Sequence, residues 1–207
     1  MTQIPASTAA TLCLQVQPNT VPRFLPLCQQ GFQIKVPACG SIRTILCQYL
    51  GLSQDYLEGR VQTIFLNGKA VDDLDATSVG PGDTLALSAA LPGLVGATMR
   101  RGGYLAGLRA NISQGEQDQA LAGGECLVKL KLFNLLTDEL GPFFLAQGIW
   151  INQAVLATFL KRQPEDFWTG LLAAELNGEV LEPQNLPALA WPDGDALVRL
   201  NILVSSK

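Results

Sequence analysis

The chain has 207 residues, 48% apolar and 15% charged, the composition of a globular protein of one or two domains and not of a disordered one. A formal net charge of −4 argues against general nucleic-acid binding, because neutralising phosphates needs a basic face. No histidine occurs, which excludes Ser-His-Asp and Cys-His nucleophile systems and a histidine general base.

The N-terminal stretch "MTQIPASTAATLCLQV" has no basic residue before its apolar part and does not read as a signal peptide. Leu12 to Val16 and Gly31 to Val36 alternate as strands do. A helix is expected from Ser41, its N-cap, to Gly51, with Ile42, Ile45, Leu46 and Tyr49 at helical spacing. "SQDYLEG" reads as one short helical turn. "VQTIFLNGKAVDDLDATSVGPGDTLALSAAL", Val61 to Leu91, then reads as a strand into Asn67-Gly68, a polar connection, a turn ending in Gly82-Asp83 and a second strand. The weakly polar run Leu85 to Met99 contains Pro92, Gly93 and Gly96 and is too short to span a bilayer. A soluble, cytoplasmic protein without membrane association is expected.

After the glycine-rich segment around "MRRGG", residues 109–125 are polar and suit a surface linker. The pattern then recurs. Strands are expected at Leu127 to Phe133 and at Gly148 to Gln153. A helix follows with Asn152 as N-cap and Val155, Leu156, Phe159 and Leu160 on one face. "QPEDFWTG" gives another short turn. Leu171 to Leu203 repeats the strand, Asn177-Gly178, Gly194-Asp195, strand sequence. Six features in the same order point to internal duplication. Each half reads as strand, strand, helix, strand, turn, strand, an α+β arrangement with one helix across a mixed sheet. The expected domains are 1–108 and 126–207, joined by the linker 109–125.

The cysteines, Cys13, Cys28, Cys39, Cys47 and Cys126, are irregularly spaced and contain no C-x-x-C pair, so no metal site or cofactor is expected and buried reduced thiols are. The acidic run Asp72 to Asp75 reads as a solvated loop, although it could hold a divalent cation. Trp150, Trp168 and Trp191 all fall in the second half and are expected to build its core.

The stretches "FLNGKAV" and "VGPGDTLALSAALPGLVG", followed by "MRRGG", resemble the β-grasp, ubiquitin-like sulfur carriers: the small subunit of molybdopterin synthase and the thiamine sulfur carrier. The resemblance covers about Gly31 to Gly103 and implies two tandem β-grasp units. In that family a carrier acts through a free terminal glycine carboxylate. Gly103 would fill that role only after cleavage before Tyr104, and the chain's last residues, "LVSSK", carry no Gly-Gly.

Three functional readings stand beside one another. The first is a non-catalytic interaction protein, not an enzyme, that uses an edge strand or the segment between the halves to bind another protein. Arg100, Arg101 and Arg109 should face solvent or a partner, with the N–H groups of Gly102 and Gly103 as added donors to an anion. The second is a carrier or protein-modifier precursor processed after Gly103. The third is a small-molecule-binding protein with a pocket between the domains.

Overall fold

The computed structural model describes residues 10–106, 125–191 and 196–205. Strands follow in chain order as β1 (Ala10–Val16), β2 (Phe32–Val36), β3 (Gly40–Ser41), β4 (Thr63–Leu66), β5 (Lys69–Ala70), β6 (Ser78–Val79), β7 (Thr84–Ser88), β8 (Cys126–Phe133), β9 (Ile149–Asn152), β10 (Leu171–Leu176), β11 (Glu179–Leu181) and β12 (Leu197–Val204). The α-helices are α1 (Leu25–Gln30), α2 (Gln54–Gly59), α3 (Gly93–Met99), α4 (Leu135–Gln147), α5 (Gln153–Lys161) and α6 (Glu165–Trp168).

Local chemistry explains most of these boundaries. Ser41 Oγ accepts from the Thr44 N–H at 3.2 Å and starts the helical turn that runs to Tyr49. That turn is wide, with the Leu50 N–H donating five residues back to Ile45 O at 3.0 Å, and it ends at Gly51 with φ 74°. Asn152 caps α5, accepting from Ala154 N–H at 2.9 Å and Val155 N–H at 3.3 Å. Both Asn-Gly pairs are tight hairpin turns with positive φ at each residue: 52° and 81° at Asn67-Gly68, 54° and 85° at Asn177-Gly178.

The fold is α+β with mixed sheets, and its contacts divide into two compact units. Unit 2, Gln33–Thr137, is continuous in sequence, whereas unit 1 combines Met1–Phe32 with Asp138–Lys207. This division differs from the expected 1–108 and 126–207. The cause is strand exchange between the halves. β1, from the first half, lies between β10 and β12; β8, from the second, lies beside β7. Most of the expected linker, including Arg109, lies outside the described residues, as do Gly194 and Asp195.

Within unit 2 the strand order is β2-β8-β7-β4-β5. β7 and β8 run parallel, with Leu85 opposite Leu130, and β4 runs antiparallel to β7, with Ile64 opposite Leu87. β3 and β6 form a separate two-stranded ribbon. Within unit 1 the order is β11-β10-β1-β12-β9. β1 and β12 run parallel from Ala10 opposite Val198 to Val16 opposite Val204, and β1 runs antiparallel to β10.

The two units arrange their strands in a similar order, but not as in the sequence expectation, which equated β1 with β8. By position β1 corresponds to β7, and β12 to β8. The turns confirm it. Asn67 Oδ1 accepts from Thr84 N–H at 2.9 Å, and the Asn67 N–H donates to Thr84 O at 2.9 Å. Asn177 makes the same pair of bonds to Thr11, both at 2.8 Å.

The core follows the alternation. Leu12, Leu14 and Val16 of β1 are wholly buried, as are Leu85 and Leu87 of β7 and Val128, Leu130 and Leu132 of β8. Phe24, Phe159 and Phe167 cluster in unit 1 with ring centroids 5.2 to 6.1 Å apart. None of the three tryptophans is fully buried. Trp168 packs edge-to-face on Phe167 at 5.0 Å.

The sequence pattern also missed α4. It contains Gly141 and Pro142, both of which signal a helix end. Packing supplies a reason for the glycine, since a Cβ there would overlap the Leu25 side chain of α1. A stricter case is Gly170, where a Cβ would overlap the Oγ1 of buried Thr20 while Gly170 O accepts from the Gln17 N–H at 2.9 Å.

Two substitutions test this account by urea denaturation. Gly170→Ala should cost about 1–3 kcal/mol through overpacking against Thr20. Asn177→Ala should cost about 1–2 kcal/mol, because it removes the acceptor for the Thr11 N–H and places a residue with a Cβ and no local hydrogen bond at positive φ.

Candidate functional site

Residues around "MRRGG" do not hang free. α3 ends at Met99, Arg100 turns into extended backbone with ψ 128°, and Gly102 takes φ 61°. The turn is closed by the Gly103 N–H donating to Arg100 O at 3.2 Å and the Ala106 N–H donating to Gly103 O at 2.9 Å. Upstream, α3 packs tightly through Gly96, where a Cβ would overlap the Leu91 carbonyl.

Arg101 fixes this segment to unit 2. Its backbone N–H donates to Gln62 O at 2.8 Å, and its guanidinium donates to Leu57 O at 3.1 Å and to Glu58 at 3.0 Å. Only 11% of its side chain is exposed. The sequence expectation that all these arginines face solvent or a partner therefore fails at Arg101, because α2 offers both a carboxylate and a free C-terminal carbonyl within reach. Arg100 is exposed. Gly102 donates its N–H to Asp72 Oδ1 at 3.2 Å.

Glu58 links Arg101 to a second arginine. Arg43 donates to Glu58 at 2.9 Å and to both carboxylate oxygens of Asp75 at 2.8 and 3.0 Å. Asp73 caps its own loop, accepting from the N–H groups of Asp75 and Ala76, both at 2.9 Å. "DDLD" is thus occupied with hydrogen bonds to the chain itself. Among the described residues no group of three or more His, Cys, Asp or Glu side chains could hold a metal ion.

These groups line an open cleft of about 500 Å³, with Arg43, Arg100 and Arg101 facing Glu58, Asp72, Asp73 and Asp75. Hydrogen bonding from Arg43, supplemented by the charge of Arg101, holds the Glu58 carboxyl below its ordinary range. The backbone donors at Ala76 and Asp75 do the same for Asp73. Neither carboxyl is held protonated for acid catalysis. The arrangement is a charged clamp that positions the neighbouring surface.

Three apolar side chains of the same segment are exposed. Leu94 is 72% exposed, Val95 67% and Tyr104 100%, on either side of Arg100 in sequence. Sequence reading singled out the arginines and glycines but passed over these three. Their signal was available as apolar residues inside a segment otherwise read as a connector. In unit 1 a separate cleft of about 630 Å³ is bordered by Arg23, Pro26, Val155, Phe159, Arg162 and Pro164, and Arg23 pairs there with Asp166.

No protein-family model, curated protein or solved structure matches this chain. No helix among the described residues is long and apolar enough to cross a membrane.

Glu58 offers a pH test of the clamp. Its folded-state pKa is lowered, so its contribution is present above the unfolded pKa and is lost as pH falls through the folded one. Glu58→Gln should lower stability at neutral pH by up to about 1 kcal/mol, the side chain being half exposed and screened. The melting temperatures of variant and wild type should converge as pH falls below about 4.

Proposed function

We propose that this chain is a pair of β-grasp units that acts as a non-catalytic binding protein, with another protein as its partner. The fold part of this reading is supported by the strand orders β11-β10-β1-β12-β9 in unit 1 and β2-β8-β7-β4-β5 in unit 2, each containing one parallel pair, β1 with β12 and β7 with β8. Each unit also has a helical segment in the connection that leads to the strand before its Asn-Gly turn: the turn ending at Tyr49 precedes β4 in one, and α5 precedes β10 in the other.

The binding part rests on one observation: Leu94, Val95 and Tyr104 are exposed beside Arg100, on a segment that Arg101 anchors. Tyrosine and arginine flanked by aliphatic residues are the side chains that anchor protein interfaces. Holding the segment in place beforehand reduces the ordering cost of association. This favours the Arg/Gly segment, with Arg100 to Gly103 at its centre, over strand addition. In unit 1 the edge strand β11 has three residues, and in unit 2 the edge strand β5 has two, too few to template a long added strand.

The test is affinity capture from the native source with wild-type chain and with the double variant Leu94→Asp, Tyr104→Ala. A partner bound by wild type should bind the variant at least about tenfold more weakly. The melting temperature should change by no more than about 2 °C, because both sites are exposed. Equal capture by both proteins would remove the proposed surface. Intact mass from the same source should give the full-length chain, whereas a fragment ending at Gly103 would identify a carrier precursor instead.

A further inference from the structure

We propose that Cys39 and Cys126 are a covalent modification site, closing to a reversible disulfide under mild oxidation and fastening β8 into the sheet of unit 2. Their sulfurs are 2.8 Å apart, with Cys39 donating its S–H to Cys126. Both side chains are buried, Cys39 at 8% exposure and Cys126 at 1%. A disulfide bond is about 2.05 Å long, so closure asks for an approach of roughly 0.8 Å, within the reach of small side-chain rotations.

The backbone holds each sulfur where it is. Cys39 immediately precedes β3, whose Gly40 pairs with Val79 of β6. Cys126 opens β8, where Leu127 O accepts from the Gly82 N–H at 2.8 Å and the Lys129 N–H donates to Asp83 O at 2.8 Å. The Lys35–Glu125 ion pair lies beside it at 3.8 Å. Two separately fixed segments therefore present their thiols to one another. Cys28 is likewise a buried free thiol.

With hydrogen peroxide as oxidant the chemistry balances. The Cys39 sulfur, the more open of the two, attacks one peroxide oxygen; the O–O bond breaks, water leaves and a sulfenic acid forms. The Cys126 sulfur then attacks the Cys39 sulfur, the S–O bond breaks, and the departing hydroxide takes the Cys126 proton as a second water. Two thiols are oxidised by two electrons and one peroxide is reduced. Burial and the neighbouring Cys39 push the Cys126 thiol up to about 12, so Cys126 is protonated at neutral pH and gives up its proton only as its sulfur closes on that of Cys39.

The bond would span a sequence separation of 87 residues, including the whole segment 107–124. A loop of that length loses much of its freedom in the unfolded chain when it is closed. The test uses the full-length chain, reduced, treated with hydrogen peroxide, alkylated and digested without reductant. The expected product is a peptide linking Cys39 to Cys126, with Cys13, Cys28 and Cys47 alkylated. The melting temperature should rise by about 5 °C and return with dithiothreitol. C39S and C126S should each abolish both the link and the rise. Alkylation of all five thiols after peroxide, a link between any other pair, or a Cys39–Cys126 link without a rise in melting temperature would overturn the proposal.

Discussion

Unit 1 depends on a single pairing: β1 lies between β10 and β12, so the centre of this sheet is assembled from opposite ends of the chain. β1 buries Leu12, Leu14 and Val16 completely and has a neighbour on each side. It cannot be satisfied until residues 197–204 exist. Such non-local pairing makes loop closure precede reward and slows folding. Unit 2 is continuous in sequence from Gln33 to Thr137 and needs no strand from either end.

The same exchange places β8 beside β7 and gives unit 2 its parallel pair. Around that pair the Arg/Gly segment acquires two kinds of residue. Arg101, with Glu58 and Arg43 behind it, holds the turn against α2. Leu94, Val95 and Tyr104 are exposed on the same segment. Arg101 is largely buried against α2 while Arg100 is exposed, and the dipeptide "RR" gives no indication of which is which. Burial of the guanidinium against a carboxylate 43 residues away decides the matter.

Features that depend on a few adjacent residues were legible in the sequence. The Asn-Gly turns need positive φ at both positions, and the Ser41 and Asn152 caps need a side-chain oxygen next to orphan N–H groups. Strand character at β1 and β8 was also legible from alternation. Strand partners were not, because alternation specifies a buried face and says nothing of which chain segment lies alongside. α4 was hidden for a related reason: Gly141 and Pro142 oppose helix formation locally, and the α1 contact that accommodates the glycine is remote in sequence. Leu94, Val95 and Tyr104 are legible as apolar residues within a connector, but without periodicity nothing in the sequence says that they are exposed.

The Asn67 turn has a chemical consequence as the protein ages. Its side-chain amide does two jobs: Oδ1 accepts from Thr84 N–H, and Nδ2 donates to Asp83 Oδ1 at 2.7 Å. Asn-Gly is a sequence prone to deamidation, which exchanges that Nδ2 for an oxygen. The donor to Asp83 would be lost and a second negative charge would stand against the first at hydrogen-bonding distance. Asp83 Oδ2 meanwhile accepts from the Gly80 N–H at 2.7 Å, so the repulsion would fall on the turn that starts β7. Slow hydrolysis of one amide would thus loosen the strand against which β8 is laid.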